Sequence, residues 1–87
     1  MTLYLIHCGF YDDEISDGIY EFHINIPVVA DSMESAKSKL RTNSAFQRKK
    51  MHIDGIQEMK AVDGFNPCFE SSQESSSAIN NIPYRDL

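Results

Sequence analysis

Residues 19–29 read IYEFHINIPVV, and the fold follows from how that stretch alternates. Tyr20, Phe22, Ile24, Ile26 and Val28 fall on one face, while Glu21, His23 and Asn25 fall on the other. An apolar/polar period of two marks a strand with one buried and one polar face. Pro27 has no N–H to donate, so its end of the strand belongs at a sheet edge or a bulge.

The stretches on either side complete the pattern. Residues 2–8 hold the consecutive apolar run Leu3, Tyr4, Leu5 and Ile6, closed by Gly9. Such a run fits a strand buried on both faces, the centre of a sheet. Cys8 shares a face with Tyr4 and Ile6 and belongs to the core. Residues 9–18 form an acidic loop with Asp12, Asp13, Glu14 and Asp17. After the alternating strand, Asp31 followed by Glu34 resembles a capping box on the positive end of a helix dipole. Met33, Ala36 and Leu40 then mark a buried helical stripe. Thr42-Asn43-Ser44 ends the helix, Phe46 anchors a further short turn, and Arg48-Lys49-Lys50 reads as a solvated connection.

Three of the four glycines follow an aspartate, at Asp17-Gly18, Asp54-Gly55 and Asp63-Gly64. Asp-Gly is turn punctuation, because Gly supplies φ > 0 and Asp bonds its own backbone. The last two pairs bracket a third strand over residues 55–62. Its alternation is poor, with Glu58 and Lys60 on the face of Ile56 and Val62. Residues 65–69 extend the sheet after the turn.

The expected fold is α+β: a three-stranded, mainly antiparallel sheet in order 2-1-3 with one helix on one face. The right-handed crossover rule places that helix. The other sheet face, bearing Glu21, His23 and Asn25, is left uncovered. Residues 1–69 form the expected single small domain. Residues 70–87, with the run ESSQESSS, form a polar tail that buries too little apolar surface to offset its ordering entropy.

Size and charge bound the function. The chain has 87 residues and a net charge of −5. A core this small supplies only about 3–5 kcal/mol, so a staple is expected. With only two cysteines, Cys8 and Cys68, the expected staple is self-association as a homodimer. No apolar run approaches membrane-spanning length. Met1 runs into a strand-like segment without a basic leader region, so the expected compartment is the cytoplasm with reduced thiols.

Four residues or groups carry chemistry, and each has a plainer explanation. His7, His23 and His52, with Glu21, Asp54 or Cys8 nearby, have the chemistry of a transition-metal site. No short-range ligand pair such as Cys-x-x-Cys accompanies them, so polar residues on a sheet face are the preferred reading. Glu21 and His23 on one strand face suit an acid–base pair, but alternating strands produce such pairs by chance. Aligning Gly18 with the EF-hand glycine puts Ile15 and Ile24 at liganding positions, which excludes that calcium site. Lys37, Lys39, Arg41, Arg48, Lys49 and Lys50 give residues 32–50 a net charge of +5, leaving −10 elsewhere. The acidic total argues against nucleic acid and for a solvated helix face.

Gly9 after the first strand, Glu21-Phe22-His23, His52-Ile53-Asp54 and Val62-Asp63-Gly64-Phe65 together resemble the bacterial family known as domain of unknown function 1543. The match in order and spacing spans residues 2–66. The resemblance implies a small α+β domain with no assigned activity. Some members look like two copies in one chain, which implies that a single copy pairs with itself. The expected protein is therefore a non-catalytic, self-associating binding module without a cofactor. Glu21, His23 and Asn25 are its interface or ligand face. The alternatives are a metal-binding protein or small enzyme using His7, His23 and His52 with Glu21 or Asp54, or a binder of anionic partners through residues 37–50.

Overall fold

The computed structural model describes residues 1–74 and 76–87. Strand β1 (Thr2–Tyr11) lies between β2 (Glu21–Ala30) and β3 (His52–Met59), antiparallel to both. The order is β2-β1-β3, the α+β arrangement expected. Helix α1 (Asp13–Ser16) is a single turn in the β1–β2 connection. Helices α2 (Met33–Arg41) and α3 (Ser44–Arg48) connect the two edge strands.

The β1–β2 register explains the alternation. Phe22, Ile24, Ile26 and Val28 pair with Phe10, Cys8, Ile6 and Tyr4, which puts all eight on one face. Ala36 and Leu40 of α2 close over that face, joining Tyr4, Ile6, Cys8, Ala30 and Met51 in the core. Ile6, Cys8 and Leu40 are fully buried. Burial of a leucine-sized side chain contributes roughly 1.5–3 kcal/mol, so these few residues carry much of a small core. Pro27 sits in an edge strand, the part of a sheet where a residue without an N–H is tolerated.

Several boundaries differ from the sequence reading. β1 runs on through Gly9 to Tyr11, so Gly9 lies inside a strand rather than ending one. β3 starts at His52, and Asp54-Gly55 is not a turn. Cys8 pairs with Ile53 and His7 with Gly55, leaving Asp54 as the extra residue of a β-bulge. The bulge changes the phase of the strand, so Ile53 and Ile56, three apart, both reach the core, against Cys8 and Ile6. The poor alternation further along has another cause: Glu58 pairs with Tyr4, on the same face as Ile56, yet stays exposed.

The N-cap of α2 is Ser32 rather than Asp31: its hydroxyl accepts the Ser35 N–H at 3.1 Å. Met33 of the expected stripe is exposed. Lys49 is not merely solvated, because it pairs with the buried Asp12. Residues 65–69 form no further strand. Val62 and Phe65 instead exchange two backbone hydrogen bonds around Asp63 (φ 53°) and Gly64 (φ 83°), a tight turn with both central residues left-handed. Asp17-Gly18 and Asp63-Gly64 are therefore genuine turns.

A cluster of histidines and carboxylates over Gly9

The sheet face away from α2 carries the chemistry. Three residues form one row across it: His23 of β2 and His52 of β3 both pair with Gly9 of β1. Glu21 lies two residues before His23 on the same face. The bulge brings Asp54 to the other side of the row. All four side chains therefore lean toward the space above Gly9.

They meet there. His52 Nε2–H donates to Glu21 Oε1 at 2.9 Å and lies 3.2 Å from Asp54 Oδ1. His23 Nε2 lies 3.0 Å from the same Glu21 Oε1 and 3.2 Å from Asp54 Oδ2. Each imidazole thus spans both carboxylates. Donor atoms of Glu21, His52 and Asp54 all lie within 4.8 Å of one another. The four side chains keep between 30% and 47% exposure, so the cluster is open to solvent on its outer side.

Gly9 is the floor that permits this convergence. A Cβ there would be closest to Glu21 Oε1, and it would lie 2.6 Å from both Asp54 Oδ2 and His52 Nε2. A side chain fits there only if those carboxylate and imidazole ends move away. A glycine inside a strand marks such a close approach.

An outer ring supports the four. Tyr11 donates its hydroxyl to Glu21 Oε2 at 3.4 Å. His7 stacks on His23 with ring centroids 4.9 Å apart and planes 2° from parallel. His7 Nδ1–H donates to Asn25 Oδ1 at 2.8 Å. Cys8 faces the opposite side of the sheet and is no part of the cluster. Burial pushes its thiol pKa up, and the Asp54 charge adds to that.

The expected site residues thus divide. Glu21, His23 and Asn25 do share the open face, but Asn25 serves His7 rather than the cluster. Of His7, His23, His52 and Asp54, the last three converge with Glu21, while His7 stands behind His23. Three of the six basic residues are engaged within the chain. Lys37 pairs with Glu34 at 3.2 Å, Lys39 donates to the Val29 carbonyl at 2.7 Å, and Lys49 holds Asp12. No ion pair involves Arg41, Arg48 or Lys50 among the described residues. The roles of Gly9 and Tyr11 escape the sequence reading. A glycine in a strand-like run was the available signal for the first.

A three-stranded antiparallel sheet with a His/carboxylate cluster on its open face is the class of structure defined here. The sequence pattern of the family described as Domain of Unknown Function (DUF1543) matches residues 19–69, and the chain belongs to that family. The matched span contains Glu21, His23, His52 and Asp54. No curated protein and no solved structure matches the chain.

Proposed function

We propose that this protein binds a divalent transition-metal ion, held over Gly9 by Glu21, His23, His52 and Asp54. The observation that carries the reading is that donor atoms of Glu21, His52 and Asp54 lie within 4.8 Å of one another over Gly9, with His23 Nε2 beside both carboxylates. Two imidazoles and two carboxylates are a donor set for ions of the zinc class. Their common meeting point supports an ion there better than it supports isolated surface pairs, which contribute little to stability.

Titration of metal-stripped protein with Zn²⁺ in a calorimeter tests this. One ion per chain is expected, with His52→Ala and Asp54→Asn each weakening it at least tenfold. Heat no greater than for a His23→Ala/His52→Ala double variant overturns it, and the four side chains are then a hydrogen-bonded ring and nothing more.

A second reading, self-association, has its own support. Tyr11, Ile15, Ile19 and Tyr20 are all more than half exposed along one connection, β1 to β2. A homodimer burying them would supply the staple that a small core lacks. Light scattering decides this, and a monomer at tens of micromolar removes it. Both cysteines are unpaired, which supports a reducing, cytoplasmic setting. Among the described residues no helix is long and apolar enough to cross a membrane.

A further inference from the structure

Beside the cluster lies a shallow depression of about 360 Å³, lined in part by Leu5, His7, Asn25, Gly55 and Gln57. It touches the cluster at two points. Gly55 follows Asp54 directly, and the His7 ring that lines the depression is the one stacked on His23. Its size suits a small organic molecule.

We propose that this depression is the ligand pocket of the metal site, and that it takes a small, singly charged, bidentate oxygen chelator with a short apolar substituent. This rests on the metal reading above. All four protein donors rise from one face of a sheet, so they occupy the inward side of an ion over Gly9. With Glu21, His52 and Asp54 as the mutually close donors, a zinc-class ion has three firm protein ligands and keeps an outer position that exchanges and can expand to a fifth ligand. Two carboxylates already balance a dication. A monoanionic chelator such as a hydroxamate or hydroxy acid therefore fits better than a polyanion, against a chain of net charge −5.

The lining matches such a molecule. His7 donates through Nδ1 to Asn25, which leaves its Nε2 as an acceptor for an N–H or O–H of the ligand. The Gln57 amide offers both a donor and an acceptor at the far end. Leu5 provides an apolar floor from the central strand.

The test uses the cobalt-loaded protein, whose visible spectrum reports changes in the ion's ligands. Benzohydroxamate is expected to shift the spectrum in a saturable one-to-one titration. It should bind about tenfold more tightly than acetohydroxamate, because its ring covers Leu5. Gln57→Trp fills the depression from an edge strand without touching a donor. It should leave cobalt affinity unchanged and erase the preference for the larger chelator. Cobalt that binds but whose spectrum neither chelator shifts overturns the pocket alone, as does an undiminished benzohydroxamate preference in Gln57→Trp. Protein that takes up no cobalt overturns the metal reading itself.

Discussion

Replacing Gly9 with alanine should separate the site from the fold. A methyl group at position 9 would lie 2.6 Å from Asp54 Oδ2 and from His52 Nε2, and closer still to Glu21 Oε1. Ordinary contact begins at about 3.5 Å, so each of these atoms must retreat by roughly 1 Å or more. All of them are ends of partly exposed side chains, free to swing outward. The backbone of Gly9 is not in the left-handed region, so alanine meets no strain there. Limiting the unfolded chain adds about 0.4–1 kcal/mol, which offsets lost contacts. Stability in urea should therefore stay within about 1 kcal/mol of the parent, or roughly 4–8 °C in Tm. Zn²⁺ affinity should fall at least about 100-fold, because several donors lose their common point together. Urea unfolding and calorimetry on the same samples give both numbers. Gly9→Ala binding Zn²⁺ as tightly as the parent would refute the argument that the open space over Gly9 makes the site. Collapse of the fold would refute the claim that only side-chain ends stand in the way.

Lys49 holds the Asp12 carboxyl below the usual carboxylate range, chiefly through its direct hydrogen bond, with the Glu14 N–H assisting and burial opposing. A depressed folded pKa gives stability that is full above the unfolded value and is lost as pH falls through the folded one. Lys49→Met should thus move the acid-unfolding midpoint, followed by circular dichroism, to higher pH; coincident midpoints would sink this. Cys68 is exposed and Cys8 buried, so a thiol reagent at neutral pH should modify one cysteine quickly and the second only in denaturant. The raised Cys8 pKa also means that the unfolded thiol ionises first, so stability should decline as pH rises through the ordinary thiol range. Leu40 is fully buried, and Leu40→Ala should cost about 2–5 kcal/mol. Against a small-domain total of about 3–5 kcal/mol, this variant should be largely unfolded by circular dichroism unless a ligand supports it.

The strands were legible wherever burial left a periodic trace. Residues 19–29 could be read directly because β2 faces α2 on one side and solvent on the other. The apolar run after Met1 likewise announced the central strand. Reading failed where one residue was asked to do something non-local. Gly9 has the local look of a terminator, and its reason for being glycine lies in β2 and β3, at Glu21, His52 and Asp54. Asp54-Gly55 has the local look of a turn, yet its neighbours pair with β1 on both sides. Asp63-Gly64 was read correctly because a tight turn is a local object whose bonds close within four residues.

Sequence alone determined the class of fold, the strand order, the core face and the polar face, because these rest on periodicity and turn chemistry within short windows. It also supplied the individual residues Glu21, His23, His52 and Asp54 as candidates. Only the tertiary structure decided that they lie side by side. His23 and His52 are brought to the same point because both pair with Gly9, and Asp54 joins them because the β-bulge adds one residue to β3. Register across a sheet and the phase of a bulge depend on the partner strands, so no window along the chain encodes them.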